Sequence, residues 1–171
     1  MKKAYLRAVA IFLTCIGVFM IFCGCGAHNT VDAEYRLIRI HIRADSNEEA
    51  DQSVKMLVKE EVTEYLNREL GGAKSFEEAY SGLEQRLGEI ESIADSALRE
   101  NGFDYGARAK LNYEYFPARS YEDVVVDGGY YDALILELGS GKGDNWWCVI
   151  YPPLCYVKAS PGNGIRYRSK I

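Results

Sequence analysis

Three side chains in this sequence could support nucleophilic chemistry: His41, Cys148 and Cys155. A cysteine nucleophile reacts as its thiolate, which a helix N-terminus or a nearby cation favours. Cys148 follows two tryptophans in a predicted strand and Cys155 follows Pro-Pro-Leu, so neither cysteine opens a helix. We therefore predict that the chain is not an enzyme. The alternative is an exported cysteine-dependent cell-wall hydrolase that uses Cys148 and His41.

Metal and cofactor sites also lack the residues that they need. A metal site usually requires several converging histidine, cysteine or carboxylate ligands, whereas the chain has only two histidines, His28 and His41. The glycine-rich residues 139–145 lack the Lys-Ser/Thr ending of a phosphate-binding loop and lead into a strand rather than a helix. We expect no metal, no cofactor, and a flexible hairpin loop at residues 139–145.

The N-terminal residues have the order of an export signal. Three basic residues precede an uncharged, apolar run at residues 8–23, and small residues follow. We assign residues 1–27 to an export signal or N-terminal anchor. Residues 22–25 form a loose lipoprotein-type cleavage site, which makes Cys25 a candidate for lipid attachment. Cleavage, lipid modification and retention stay open as alternatives.

The charge balance argues against a nucleic-acid partner. The formal net charge is −5 at pH 7, and the first 25 residues contain three basic residues and no acidic one. The remainder therefore carries a net charge of −8, whereas phosphate binding needs a basic footprint. We expect membrane contact only through the N-terminal segment, if that segment is not cleaved.

The pattern beyond residue 35 predicts a strand and then two helices. Residues 36–44 alternate, with three isoleucines on one face. Apolar residues then recur at three- and four-residue spacing over residues 47–70 and 75–101. A Ser-x-x-Glu capping box precedes each helix, at Ser46 and Ser75. Glycines follow both helices, because glycine adopts the left-handed C-cap conformation at little cost.

The second half of the chain predicts strands. Alternation marks residues 108–116, 121–126, 130–138 and 146–151, and Asp-Gly-Gly at residues 127–129 predicts a tight hairpin. We therefore expect an α+β fold. It has an N-terminal strand and two antiparallel helices. Both helices pack on one face of a mostly antiparallel sheet of about four to five strands.

This domain takes up most of the chain. We place a short linker at residues 28–35, a single α+β domain at residues 36–158, and a flexible basic tail at residues 159–171. The domain keeps two cysteines, Cys148 and Cys155. An even pair in a non-reducing compartment predicts a disulfide, and two buried free thiols are the alternative.

Basic and aromatic residues of the strands are candidate contacts for a protein partner. The first strand carries basic residues opposite its isoleucines, which would suit an acidic partner. Tryptophan and tyrosine next to proline make good anchors, and alternation places the two tryptophans on opposite faces. The candidates are Arg39, His41, Arg43, Asp45, Tyr115, Pro117, Trp146, Trp147, Pro152 and Pro153. The alternatives are ordinary solvated faces and ordinary sheet packing.

Several short segments carry a family resemblance. They are residues 37–46 (LIRIHIRADS), 101–105 (NGFDY), 115–117 (YFP), 130–134 (YYDAL), 145–149 (NWWCV) and 152–155 (PPLC). The last two together are the most specific. Over residues 36–157, the chain resembles the stage II sporulation protein R family.

The resemblance implies signalling rather than catalysis. It implies that the chain is made in the forespore and exported to the space between forespore and mother cell, secreted or membrane-anchored. There the partner would be a membrane-embedded aspartic protease, the sigma-E processing peptidase. That protease cleaves the pro-sigma-E precursor in the mother cell.

Overall fold

The computed structural model describes residues 36–121 and 124–153 and, as backbone strands, residues 31–33 and 165–167. Its helices are α1 (Glu49–Leu70), α2 (Phe76–Gln85) and α3 (Leu87–Glu100). Its strands are β1 (Val31–Ala33), β2 (Ile38–Arg43), β3 (Ala107–Phe116), β4 (Arg119–Tyr121), β5 (Val124–Val126), β6 (Gly129–Leu138), β7 (Asn145–Tyr151) and β8 (Ile165–Tyr167). Among these residues, no helix combines the length and the apolar character needed to cross a membrane.

α1 begins two residues later than predicted, and Ser46 does not cap it. The cap residue is Glu48, which makes no side-chain capping bond. The Ser46 hydroxyl accepts a hydrogen bond from the Glu48 N–H at 3.0 Å and donates one to the Asp51 carboxylate. The Tyr105 hydroxyl also donates to Asp51, at 2.6 Å, and these bonds lower the pKa of the Asp51 carboxyl. Ser46 and Asp51 therefore serve a tertiary contact instead of the predicted capping box.

The second predicted helix is interrupted. Ser75 caps α2 as predicted, because its hydroxyl accepts the Glu78 N–H at 3.1 Å. Arg86, at φ −112° and ψ 7°, then separates α2 from α3. Gly102 follows α3 with φ 83°, which confirms the predicted left-handed glycine. Gly71 ends α1 in a right-handed conformation with φ −61°, so the left-handed cap predicted there is wrong.

The main sheet has the strand order β3–β6–β2–β7. β2 pairs parallel with β6 and antiparallel with β7, and β3 pairs antiparallel with β6. This four-stranded, mostly antiparallel sheet confirms the predicted α+β fold. A smaller sheet has the order β1–β8–β5–β4, and its strands β1 and β8 fall within the segments predicted as a linker and a flexible tail.

Three predicted connections differ from the structure. Residues 121–126 were expected to form one strand, whereas β4 and β5 pair with each other, with Arg119 opposite Val126. β5 and β6 belong to different sheets, so residues 127–129 do not form the predicted hairpin. Residues 139–145 connect β6 to β7, which lie on either side of β2, so this loop is not a hairpin either.

Alternation along β2 separates two cores. Ile38, Ile40 and Ile42 are fully buried against the helices, as the pattern predicts. Leu37 is buried on the opposite face, in a smaller cluster that contains Phe116 and Val149. Because successive side chains of a strand point to opposite faces, the charged residues of β2 share the face of this second cluster.

Candidate functional site

Arg39 is fully buried on the face of the main sheet that lacks helices. Its guanidinium donates hydrogen bonds to the Tyr121 hydroxyl at 2.8 Å and to the Pro117 carbonyl at 3.5 Å. It also stacks over the Phe116 ring, 4.5 Å from the centroid. Burial lowers the pKa of Arg39, and Tyr121 partly offsets this effect. Arg39 therefore holds β4 against the sheet and is not a surface contact in this structure.

His41 lies in the same row and is 7% exposed. It packs between the rings of Phe116 and Trp147, at centroid distances of 5.6 and 5.4 Å. Burial and then Arg43 lower the pKa of His41 to about 4, against the effect of Glu114, whose Oε2 lies 3.7 Å from Nδ1. The imidazole is therefore neutral at pH 7. Its Nε2 has no hydrogen-bond partner among the described residues.

Arg43 pairs with two carboxylates. Its Nη2 lies 2.7 Å from Glu114 Oε2 and its Nη1 lies 2.9 Å from Glu137 Oε1. The same Glu137 oxygen lies 3.0 Å from Lys110 Nζ. Burial alone would raise the pKa of Glu137, but Lys110 and Arg43 together lower it. Arg39 is buried and Arg43 is paired, so neither presents an unpaired charge at the surface, and contact with an acidic partner stays a prediction.

Asp45 fastens the β6–β7 loop to the end of β2. Its carboxylate accepts the Ser140 N–H, and its carbonyl accepts the Ser140 hydroxyl at 2.9 Å. Gly139 has φ 56°, and a Cβ at this position would overlap Asp45 Oδ1. Gly143 donates its N–H to the Ala44 carbonyl at 2.8 Å. Hydrogen bonds along its length therefore hold the loop that was predicted to be flexible.

The two tryptophans lie on opposite faces of β7, as predicted, and both are partly buried. Trp146 packs against the helix-side core, with Lys59 Nζ 5.9 Å from its ring centroid. Trp147 packs against the second cluster, and the Arg119 guanidinium lies 4.3 Å from its ring centroid. Both rings thus have packing partners within the fold, and their role in partner contact stays a prediction.

The candidate prolines are partly buried. The Pro117 carbonyl accepts the Arg39 bond already described. Pro152 follows Tyr151 through a cis peptide bond, and Pro153 ends the described range. A contact of these prolines with a partner stays a prediction.

Tyr115 is the one candidate contact that the structure leaves exposed, at 62%. Two further tyrosines lie beside it, Tyr113 (57% exposed) and Tyr130 (56% exposed). The ring centroid of Tyr130 is 5.6 Å from that of each of the other two. We call Tyr113, Tyr115 and Tyr130 the tyrosine cluster. Alternation along the sequence predicts that Tyr113 and Tyr115 share one face. It does not predict where along that face the helices stop covering the sheet.

The alternative of a Cys148–His41 catalytic pair is wrong. In the β2–β7 register, Ile40 lies opposite Cys148 and His41 lies opposite Trp147. Cys148 is buried among the helix-side residues, whereas His41 faces the second cluster. The sheet therefore separates the two side chains. Cys155, Cys25 and His28 lie outside the described residues.

The described residues offer little else for chemistry. Across residues 36–121 and 124–153, no three histidine, cysteine or carboxylate side chains are grouped to hold a metal ion. An open cavity of about 450 Å³ lies at the end of β3 and β6, lined by Gly106, Ala107, Arg108, Glu137, Gly139 and Ser140. The carboxylate that lines this cavity belongs to Glu137 and is paired with Arg43 and Lys110.

Comparison with known proteins finds one family whose model spans the helices and the main sheet. The family model described as "Stage II sporulation protein R (spore_II_R)" matches residues 34–161, which include all three described helices and the main sheet. The chain is 29% identical to "Stage II sporulation protein R" of Bacillus subtilis (strain 168) over 174 residues, which cover 97% of this chain and 76% of that protein. No solved structure matches the chain. The chain therefore belongs to the stage II sporulation protein R family, and it is a sporulation signalling protein.

Proposed function

We propose that the protein is an exported signal, made in the forespore, that activates the membrane-embedded aspartic protease responsible for processing pro-sigma-E in the mother cell. The observation that carries this proposal is the family match over residues 34–161. Forespore origin, export and the protease partner are the steps that the proposal adds to the family's signalling role.

The N-terminal pattern supports export. Residues 1–27 combine basic, apolar and small residues in the order of an export signal. We place the folded domain in the space between forespore and mother cell, secreted or held at the membrane by this segment. A lipid at Cys25 is one alternative for attachment to the membrane, beside cleavage and retention of the segment.

The polar residues of the described domain support action by contact with a partner, because they bond to other parts of the fold. Arg39, Arg43 and Asp45 are engaged in bonds that join strands and loops. His41 is neutral, buried and separated from Cys148 by the sheet. These side chains support the fold rather than a reaction, so the exposed surface is what the domain offers to a partner.

We also infer that Cys148 pairs with Cys155 as a disulfide in the exported protein. The two are close in sequence, Cys148 is buried, and the proposed compartment does not reduce disulfides. A loop this short contributes on the order of 2–3 kcal/mol. Replacing both cysteines by serine should lower the free energy of unfolding by about that amount and leave part of the activation.

Reconstitution tests the proposed function. The full-length chain is combined with the membrane protease and the pro-sigma-E precursor in membranes, and precursor cleavage is followed over time. Cleavage should require the chain and the protease together. Matched reactions omit one component each.

Two results would overturn the proposal. One is precursor cleavage that proceeds equally well without the chain. The other is breakdown of peptidoglycan or of a peptide by the purified chain alone, which would make it an enzyme.

A further inference from the structure

β3 forms one edge of the main sheet, and its outward side can be assigned from two hydrogen bonds. The Ala107 N–H is bound by Asp95 Oδ1 at 2.7 Å and the Ala109 N–H by Glu91 Oε1 at 2.8 Å, both from α3. These N–H groups therefore point away from β6. Because backbone groups alternate in direction along an antiparallel strand, and the β3–β6 register has no shift, every second residue after Ala109 also points outward.

The outward backbone groups beyond α3 belong to Leu111, Tyr113 and Tyr115. Within the described residues, no hydrogen bond to the N–H groups of these three is found. Residues 112, 113 and 115 are exposed, so the edge is open to solvent there. α3 covers only the first part of this edge. Pro117 directly follows the last residue of β3. The open part is thus a five-residue window, residues 111–115.

Two of the three exposed tyrosines stand on this window. Exposed edge strands usually carry lysine, proline or other residues that prevent pairing with another chain. Here the window carries Tyr113 and Tyr115, and its one charged residue, Glu114, is paired with Arg43. Tyr130 on the neighbouring strand completes the tyrosine cluster. Tyrosine is enriched among the residues that dominate binding energy in protein interfaces. An open backbone edge next to an exposed aromatic surface suits an extended peptide, which uses both.

We propose that residues 111–115 of β3 bind an extended segment of a partner protein as an added β-strand, with apolar side chains of that segment packing on the tyrosine cluster. Resting on the proposed function, the inference assigns this segment to the membrane protease. A second copy of this chain is disfavoured as the occupant, because the formal net charge of each chain is −5 and two copies repel each other.

The decisive variant is Tyr113→Pro. Its N–H points outward, so proline removes no bond to β6 but blocks strand addition. Tyr113→Thr is the matched control, since it removes the same ring and keeps the N–H. Leu57→Ser, at a 43% exposed position on α1, tests a surface away from the edge. Thermal unfolding of each full-length variant reports whether the fold is kept.

In the reconstituted cleavage reaction, Tyr113→Pro should lower activation by about tenfold or more, the loss expected for backbone hydrogen bonds at an interface. Tyr113→Thr should lower activation less, and Leu57→Ser should leave it unchanged. Equal activation by the proline and threonine variants would overturn strand addition. Failure of the unaltered chain to activate would instead overturn the proposed function.

Amide hydrogen exchange of the unaltered chain gives a second test that does not need a folded proline variant. Adding the protease in nanodiscs should slow exchange at Leu111, Tyr113 and Tyr115 by about tenfold or more. Activation without this slowing would overturn the edge as the contact. Slowing that appears on raising the concentration of the chain alone would assign the edge to a second copy and overturn the partner assignment.

Discussion

Both faces of the main sheet carry a hydrophobic cluster, but β2 contributes opposite kinds of residues to the two faces. On the helix side, β2 contributes Ile38, Ile40 and Ile42 to an apolar core. On the other side, the same strand contributes Arg39 and His41, both less than a tenth exposed. One strand thus supplies a hydrophobic core and a buried polar row, with its side chains alternating between them.

The difference teaches how each face specifies its neighbours. Apolar contacts on the helix side are non-directional, so helices of the right volume can pack there in related ways. The polar row has directed partners: the Tyr121 hydroxyl for Arg39, and the Glu114 and Glu137 carboxylates for Arg43. The Arg39 bond to Tyr121 joins β4 to the sheet and depends on the placement of β4. We expect the helix side to dominate stability and the polar side to select one arrangement.

The largest expected loss comes from Ile40→Ala on the helix side. Ile40 is fully buried, and truncating such a residue costs about 4 kcal/mol through lost burial and the cavity left behind. Urea unfolding followed by tryptophan fluorescence measures this. The milder Ile40→Val should cost about 1 kcal/mol. Equal costs for the two variants would show that the site collapses around the deletion.

A smaller loss is expected for Arg39→Met on the polar side, at about 3 kcal/mol. Methionine keeps the apolar length but loses the charged hydrogen bond to Tyr121 and the stacking on Phe116. Arg43→Met is the matched control and should cost about 1 kcal/mol, because its pairs are partly solvated. If Arg39→Met were as stable as the unaltered chain, the polar row would not select the arrangement.

The pH dependence of stability tests the buried His41. Its folded pKa, about 4, lies below the ordinary value of 6.5, so the unfolded chain takes up a proton first. Stability should be complete above pH 6.5 and fall by about 2 kcal/mol as the pH drops to 5. Arg43 and Glu114 are the charged groups that face His41.

The control for this effect is His41→Gln, measured over the same range. The carboxyls with lowered pKa values, Asp51 and Glu137, start from ordinary values of 3.8 and 4.5. Their effect therefore begins at lower pH than that of the histidine. A variant whose stability falls as steeply between pH 6.5 and 5 as that of the unaltered chain would assign the loss to other groups.

The smallest expected loss, about 1 kcal/mol, is for Ser75→Ala, which removes one exposed helix cap. It sets the scale of a single hydrogen bond outside both cores. Ser53→Ala, at an exposed position inside α1, should change the free energy of unfolding by only a few tenths of a kcal/mol. A loss for Ser75→Ala as large as that for Arg39→Met would mean that burial adds little to the polar row.

Much of the fold could be predicted from periodicity and capping patterns. The isoleucine face of β2, the opposite faces of Trp146 and Trp147, the Ser75 cap and the left-handed Gly102 all follow from local rules. Ser46 shows where such rules fail. Its pattern is that of a capping box, but its hydroxyl donates to Asp51 instead of capping the helix. Asp51 in turn accepts a hydrogen bond from Tyr105.

The candidate site was predicted only in part. Tyr115 was predicted as an aromatic residue near proline, and alternation places Tyr113 on the same face. Its position on an open edge depends on how far α3 extends along β3, which is set by the bonds from Asp95 and Glu91. A charge pattern likewise predicted a basic surface at Arg39 and Arg43, and could not reveal that both charges are satisfied inside the fold.

The sequence by itself determined the element types, the alternation of faces and the family, because these depend on neighbouring residues and on recognisable segments. The tertiary structure alone decided which strands are neighbours, which charges are buried and which edge stays open. Strand order joins residues far apart in the chain, as in the parallel pairing of β2 with β6, and long-range pairing depends on the whole packed core rather than on any local pattern.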